Sequence, residues 1–146
     1  MIFNAILISL LVVVIVIGGY KLITGIWPGG RLIIEDPPSI ASGLEDTEAR
    51  FMFFYTDWCP FCTQSKDPWN SFKQLMNNAP KTYGGKTIVF EEINCESQTG
   101  KCALYNIKEY PSFKVQTTQK VYKMSGKPSV ESFRAFLKSA LGQEST

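Results

Sequence analysis

Two cysteines three residues apart follow closely behind an apolar run, and this junction limits what the chain can fold into. The run occupies 51–55, and the cysteines, Cys59 and Cys62, lie in the segment WCPFC. A run that is apolar at every position predicts a central β-strand with helices covering both faces. Proline suits the first turn of a helix, because its missing N–H needs no partner there. The sequence therefore predicts a strand, a turn and a helix that begins at Pro60, with Cys59 as its N-cap.

The chemistry of this pair follows from its position. Backbone N–H groups at the start of a helix are free, and a cysteine there is favoured as the thiolate, the form that attacks disulfides. Cys62 lies one helical turn beyond Cys59, on the same face of the predicted helix. We therefore interpret the pair as a redox dithiol in which Cys59 is the nucleophile and Cys62 is the resolving cysteine. A zinc knuckle uses the same spacing, and two incidental buried thiols are the other alternative.

Composition removes several other classes of function. The formal net charge is +2 and charged residues make up 19% of the chain, so there is no basic stripe that would bind nucleic acid. Histidine is absent, which excludes Ser–His and Cys–His catalysis and every histidine-ligated metal site. We expect no cofactor, no metal and no nucleic-acid partner.

The amino-terminal segment carries no charge between residues 2 and 20. As a helix it would be roughly 28 Å long, close to the thickness of the hydrocarbon core of a bilayer. Tyr20, Lys21 and Trp27 supply interfacial anchors on one side. We predict a transmembrane helix over 1–21, which makes the membrane a partner. A cleaved signal peptide is the alternative, but the apolar run is long, no positive charge precedes it and no small-x-small cleavage site follows it.

The expected localisation is that of a single-pass membrane protein. Positive charges near a membrane helix favour the cytoplasmic side, and Lys21 and Arg31 both follow the segment. The charge bias therefore favours a cytoplasmic carboxyl-terminal domain. The endoplasmic reticulum lumen and the periplasm are the alternatives.

The rest of the chain divides into a linker, a domain and a tail. We predict a juxtamembrane linker over 22–44 with an edge strand at 32–35, a folded domain over 45–142 and a tail over 143–146. Pro68 predicts a kink in the helix that follows the dithiol. The predicted elements are strand 51–56, helix 60–77, strand 87–94, helix 101–105, strands 112–117 and 120–124, and an amphipathic helix that begins after Ser129 and stops at Gly142.

This order of elements predicts a small α/β sandwich, and its motifs resemble a known family. From about residue 32 to residue 141 the chain looks like a thioredoxin fold, a central mixed sheet flanked by helices. It is most similar to the catalytic domains of protein disulfide isomerases. The residues that carry the resemblance are WCPFC at 58–62, Tyr-Asn-Ile at 105–107, Tyr110-Pro111, Gly126-Lys127 and the carboxyl-terminal amphipathic helix.

The resemblance implies roles for further residues. Pro111 matches a family proline whose peptide bond is cis and which lies against the dithiol, where it shapes the substrate groove. Trp58 would shield the dithiol, and the substrates would be protein thiols or disulfides. In some disulfide isomerase domains a cysteine pair spaced like Cys95 and Cys102 forms a structural disulfide. Two free thiols, or a zinc ion shared with the first pair, are the alternatives.

The chain also departs from the family. Pro60-Phe61 replaces the Gly-His of isomerases, which argues for a less oxidising dithiol. Phe53 occupies the place of the buried acid that helps to deprotonate the resolving cysteine in the family.

Glu92 is a candidate substitute for that acid. Glu91 and Glu92 are adjacent in a predicted central strand, so their side chains point to opposite faces. A buried carboxylate without a cationic partner has its pKa raised by desolvation, toward the range useful for accepting a proton from Cys62. The alternative is that both glutamates reach solvent near the end of the strand.

These observations predict a membrane-anchored thiol–disulfide oxidoreductase that acts on protein cysteines. The alternative, from another class, is a redox-inactive thioredoxin-fold module that tethers or chaperones a partner at a membrane. The direction of the reaction, oxidation or reduction, depends on the reduction potential of the dithiol and on the compartment.

Overall fold

The computed structural model describes residues 2–24, 32–35 and 43–146. They fall into two compact units, divided between Arg31 and Leu32. Much of the predicted linker, at 25–31 and 36–42, lies outside the described residues.

The amino-terminal unit contains one helix, α1, over Ile2–Thr24. Its sequence has no polar face, and the large apolar side chains from Ile6 to Val16 are between 49% and 69% exposed. Among the described residues, the helix thus leaves most of its apolar side chains exposed. Within the described residues, no helix combines the length and the apolar character that crossing a membrane requires.

The carboxyl-terminal unit is built on a seven-stranded sheet, counted over its described residues. The strand order is β1-β6-β5-β2-β4-β3-β7. The strands are β1 Ile33–Glu35, β2 Glu48–Tyr55, β3 Thr82–Tyr83, β4 Lys86–Asn94, β5 Ser112–Gln116, β6 Val121–Lys123 and β7 Glu144–Ser145. The helices are α2 Pro60–Asn78, α3 Thr99–Leu104 and α4 Val130–Leu141. The mixed, helix-flanked sheet predicted from the sequence is therefore confirmed.

The core forms because β2 lies at the centre of the sheet with apolar residues on both faces. It pairs in parallel with β4 and antiparallel with β5. Phe51 and Phe53 point to the face covered by α2 and α4, where they contact the buried rings of Trp69 and Phe133. Met52 and Phe54 point to the opposite face, into a smaller cluster under α3. This alternation fixes the register of the strand that leads into the dithiol.

The helices begin where the sequence supplies caps. Ser129 accepts a hydrogen bond from the Ser132 N–H, and the Ser132 hydroxyl accepts one from the Ser129 N–H, which closes a capping box at the start of α4. Helix α4 ends before Gly142, as predicted. Pro68 lies inside α2, which continues to Asn78.

Two predicted boundaries are wrong. Residues 143–146 are not a free tail, because Glu144–Ser145 pairs antiparallel with Thr82–Tyr83 at one edge of the sheet. The Tyr83 hydroxyl donates to the Glu144 carboxylate at 3.1 Å, which fixes that pairing. At the other edge Ile33–Glu35, which lies within the predicted edge strand, pairs with β6, so the folded unit starts before residue 45. Strands β3 and β7 are each two residues long, too short to show a pattern in the sequence.

Candidate active site

The two sulfurs of the dithiol lie at the amino terminus of α2. Cys59 is the N-cap residue in an extended conformation, and its Sγ accepts a hydrogen bond from the Cys62 N–H at 3.3 Å. Pro60 begins the helix, as its fixed φ and missing N–H predict. Both thiols are free and buried, Cys59 at 4% exposure and Cys62 at 0%. The structure thus places the predicted pair on one helical turn with one sulfur directed at the helix terminus.

The resolving position has a strongly perturbed thiol. Burial raises the pKa of Cys62 to about 11, and a hydrogen bond with Cys59 adds to the effect. The backbone amide of Thr56 and the charge of Lys66 act in the opposite direction. Cys62 is therefore a protonated thiol at neutral pH, and it must lose that proton before it can attack.

The loop that carries Pro111 lies against the dithiol. The Tyr110–Pro111 peptide bond is cis, and the Cys59 thiol lies 3.7 Å from the Tyr110 carbonyl oxygen, to which it donates. The Trp58 ring meets the Tyr110 ring edge-on, with 6.1 Å between their centroids. Trp58 and Phe61 are 68% and 66% exposed, so large apolar side chains stand at the surface beside a nearly buried Cys59.

A cleft of about 320 Å³ adjoins the same loop. Its lining mixes polar and apolar residues, and two of them, Glu109 and Lys123, form an ion pair. An extended segment that reached Cys59 along the Tyr110–Pro111 bond would have this cleft beside it. The cleft is lined by Ile33, Glu109, Pro111, Ser112, Phe113, Lys123, Met124, Ser125, Gly126 and Pro128.

Glu92 is not the unpaired buried carboxylate that its sequence position predicted. Its carboxylate accepts hydrogen bonds from the Trp69 Nε1–H at 2.9 Å and from the Lys73 ammonium at 2.7 Å. Burial alone would raise the pKa of Glu92, but these hydrogen bonds and the Lys73 charge hold it below its ordinary value. Its partners lie about two and three turns beyond Cys62 along α2. The reason for proposing Glu92 as a proton acceptor is therefore wrong.

Phe53 belongs to the buried, largely aromatic cluster that also contains both cysteines of the dithiol. Its side chain is fully buried and stacks on Phe113, with centroids 4.7 Å apart and ring planes 11° apart. Among the hydrogen bonds of the described residues, none joins a carboxylate to the sulfur of Cys59 or Cys62. The described residues thus place no carboxylate base in contact with the thiol that has to be deprotonated.

Cys95 and Cys102 are joined in a disulfide with a Cα–Cα distance of 5.7 Å. Both are buried, at 6% and 5% exposure, in the cluster under α3. Since each sulfur is bonded to the other, neither is available as a zinc ligand in this state.

The loop that follows β4 supports the turn that carries the dithiol, and sequence reasoning missed this. The Cys95 N–H donates to the Tyr55 carbonyl at 2.8 Å. The Asn94 amide donates to the Asp57 carboxylate at 2.8 Å, and the Asp57 N–H donates to the Glu96 carboxylate at 2.6 Å. One signal in the sequence could have found it. Asp57 follows the end of β2 and Asn94 ends β4, and the carboxyl ends of neighbouring parallel strands meet at one edge of a sheet.

Comparisons with known proteins agree with the fold described above. The family model for thioredoxin matches residues 41–139. Among solved structures, the chain is similar to human ERp44, with a TM-score of 0.51, 19% identity and coverage of 60% of this chain and 26% of that one. For the J-Trx1 fragment of ERdj5 the TM-score is 0.55 and the identity 21%, with coverage of 66% of this chain and 45% of that one. For the first thioredoxin domain of mouse protein disulfide-isomerase A4 the TM-score is 0.52 and the identity 20%, with coverage of 64% of this chain and 63% of that one.

These structural similarities are all below 25% identity, so they bear on the fold. The chain spans less than two thirds of the length of each of these structures. No curated protein sequence matches the chain.

Proposed function

Because the chain belongs to the thioredoxin family, we propose that it is a thiol–disulfide oxidoreductase that acts on protein cysteines through Cys59 and Cys62. The observation that carries the proposal is the pair of free thiols at the start of α2, with the cis Tyr110–Pro111 bond against the first of them. The disulfide-isomerase-like structural neighbours support the same kind of activity.

In the proposed reaction the Cys59 thiolate attacks one sulfur of a substrate disulfide. A Cys59–substrate bond forms, the substrate S–S bond breaks, and the second substrate sulfur leaves as a thiolate that takes up a proton. Cys62 then loses its proton and attacks the Cys59 sulfur, which closes the Cys59–Cys62 bond and releases the first substrate sulfur. The substrate gains two electrons and the dithiol loses two. The reverse sequence oxidises a substrate dithiol, and the reduction potential relative to the compartment decides the direction.

Trp58 and Pro111 are assigned to substrate binding in the same proposal. The exposed Trp58 ring and the Tyr110 ring beside it would contact an apolar side chain next to the substrate cysteine. Pro111 would shape the substrate groove, and the Tyr110 carbonyl before it, which now accepts from the Cys59 thiol, would accept a hydrogen bond from an N–H of an extended substrate. No cofactor enters the proposed reaction.

Trapping of the mixed disulfide tests the proposal. In Cys62→Ser the attack remains and release is lost, so a full-length protein incubated with a disulfide-bonded substrate should accumulate a covalent complex through Cys59. Cys59→Ser is the matched control and should accumulate none. The complex should disappear on reduction and appear as a shifted band in a non-reducing gel. Equal trapping by both variants, or by neither, contradicts the assignment of the two roles.

A second candidate function, a redox-inactive module that tethers or chaperones a partner, is favoured by the complete burial of Cys62. A thiol that resists deprotonation would release substrate slowly. A pull-down with Cys59→Ser separates the two candidates, because a redox-inactive module retains its partner without Cys59, whereas the oxidoreductase loses its covalent complex.

Attachment to a membrane through α1 belongs to the proposal as well. It is supported by the uniformly apolar and exposed side chains from Ile6 to Val16. A full-length chain should stay with the membrane fraction after washing with alkaline carbonate, whereas Val13→Asp should move into the supernatant. Full release of the unaltered chain by the wash contradicts the attachment.

The proposal also has to state which side of the membrane the folded domain faces. Lys21 favours the cytoplasmic side, as proposed from the sequence, whereas the Cys95–Cys102 disulfide favours an oxidising compartment such as the endoplasmic reticulum lumen or the periplasm. Protease treatment of sealed vesicles decides between them. Cleavage of the domain without detergent supports the cytoplasmic side, and protection overturns it.

A further inference from the structure

One wall of the cleft beside the Tyr110–Pro111 bond comes from the strand at the start of the folded unit. Ile33 of β1 lines the cleft, and β1 pairs antiparallel with β6, where Ile33 lies opposite Lys123. Of the apolar side chains among the described lining residues, that of Ile33 is the most exposed, at 44%, whereas Phe113 and Met124 are buried. Ile33 is therefore the apolar residue most available to a molecule in the cleft.

An ion pair with a buried lysine holds β1 in this place. The Glu35 carboxylate accepts a hydrogen bond from the ammonium of Lys114 on β5, and the Lys114 side chain is only 1% exposed. The same ammonium donates to the Tyr105 carbonyl at 2.8 Å. Because separating a buried charge from its partner is costly, the pair opposes detachment of β1 from the sheet. Ile33 lies two residues before Glu35, on the same face of the strand, and is positioned with it.

The charges of the cleft suit a neutral occupant. Of its described lining residues, only Glu109 and Lys123 are charged, and each is the ion-pair partner of the other. A charged side chain that entered would lose water without gaining an unpaired opposite charge. A volume of about 320 Å³ is at the lower end of the range for ligand pockets, so the cleft has room for one large side chain.

Pro111 connects the cleft to the dithiol. The Cys59 thiol lies 3.7 Å from the Tyr110 carbonyl oxygen, and Pro111, the next residue, lines the cleft. Neither Trp58 nor Tyr110 is a lining residue, so the cleft is separate from the pair that these two rings form. An extended chain advances about 3.3 Å per residue with its side chains on alternating sides. A substrate whose cysteine meets Cys59 can therefore place a second side chain in the cleft from a position about two or three residues away.

We propose that Ile33 is a specificity residue, which selects substrates that carry a large aliphatic side chain within about three residues of the reacting cysteine. The inference rests on the proposed function and names its substrate class. The aliphatic side chain would lie in the cleft and replace water on Ile33 as the substrate binds. This contact forms before the disulfide exchange and persists through it, so it changes the rate at low substrate concentration and leaves the limiting rate unchanged.

Symmetric disulfide dimers of a short peptide with one cysteine test the inference. Leucine, serine or glutamate is placed in turn at each of the three positions on either side of the cysteine. Full-length Cys62→Ser is mixed with a low concentration of each dimer, and the covalent complex through Cys59 is followed by mass spectrometry. Reaction of the same dimers with glutathione corrects for their intrinsic reactivity. At one position or more, leucine should react about ten-fold faster than serine or glutamate, the lower end of what one apolar contact contributes to selectivity.

Variants of β1 assign this preference to the cleft. Adding Ile33→Ser should reduce the leucine preference at one such position to about two-fold, and Ile33→Val should retain most of it. Ile34→Ser is the matched control, because Ile34 is 57% exposed on the same strand, points to the opposite face and is not a lining residue. It loses the same side chain from the same strand and should keep the full preference.

The outcomes separate the inference from the proposed function. If complexes form but leucine is favoured at no position, or if Ile33→Ser keeps the full preference, the inference fails and the proposed function holds. Equal losses in Ile33→Ser and Ile34→Ser also overturn the inference, because they would show an effect of the strand and not of the cleft. A protein that forms a complex with none of the dimers contradicts the proposed function itself, and the inference falls with it.

Discussion

The rate of substrate release should depend steeply on pH, because Cys62 is buried. Burial raises the pKa of Cys62 to about 11, so the thiolate fraction at pH 7 is about 10⁻⁴. In the mixed disulfide Cys59 no longer forms its hydrogen bond or carries charge, which lowers the pKa of Cys62 but leaves the burial in place. Below that pKa the thiolate fraction, and with it the release rate, should rise about ten-fold per pH unit between about pH 6 and pH 9.

A stopped-flow reaction with an aromatic disulfide that yields thionitrobenzoate separates the two steps. The first equivalent of the yellow anion reports attack by Cys59, and the second reports release by Cys62. The leaving group is already an anion, so the proton on Cys62 governs the second phase.

Two outcomes would refute this reasoning. A second phase that reaches a plateau below about pH 8 would show that Cys62 loses its proton far more readily than its burial implies. The second is a several-fold slower release in Glu92→Gln, which would restore Glu92 as the proton acceptor. With its carboxylate bound by Lys73 and Trp69, Glu92→Gln is the matched control and should release at the rate of the unaltered protein at every pH.

Two further predictions concern the edge of the sheet. Gly84 has a φ of +56°, and a Cβ there would lie 1.9 Å from the Leu141 carbonyl oxygen. Gly84→Ala should therefore lower the free energy of unfolding, measured in urea, by about 2–3 kcal/mol. A Cβ at Gly85 meets no atom, so Gly85→Ala should lower it by only about 1 kcal/mol, and equal losses in the two variants would contradict the clash. Although burial opposes it, the hydrogen bond from Lys81 holds the pKa of Glu144 below its ordinary value. The Glu144 carboxylate therefore stabilises the folded protein above about pH 4.3, and this contribution is lost as the pH falls through the lower pKa of Glu144 in the folded state. Glu144→Gln should make the free energy of unfolding depend less on pH in the acid range, and an unchanged dependence would contradict this.

The parts of the site that the sequence predicted are those with local causes. The N-cap position of Cys59 follows from Pro60 directly after it, and the central strand follows from an apolar run that ends a few residues earlier. The start and stop of α4 follow from Ser129 and Gly142 in the same way. Each signal lies within a few residues of the feature it predicts, so no knowledge of the tertiary structure is needed.

The error at Glu92 has a distant cause. Alternation along a strand correctly placed Glu91 and Glu92 on opposite faces: Glu91 pairs with Lys101 of α3, and Glu92 with Lys73 of α2. Whether a half-buried carboxylate gains a cation depends on which turn of the helix crosses it. That crossing is set by the packing of Trp69 against the sheet, which a single sequence does not reveal.

Attack and release are therefore controlled by different parts of the molecule. Attack depends on the helix terminus at Cys59, which the segment WCPFC specifies by itself. Release depends on what surrounds Cys62, and these surroundings are assembled from separate elements: Phe53 on β2, the Thr56 amide and Lys66 on α2. The proposed oxidoreductase needs both parts, whereas a redox-inactive tethering module needs neither. If Cys59 forms the mixed disulfide as proposed, the surroundings of Cys62 decide how fast the substrate is released.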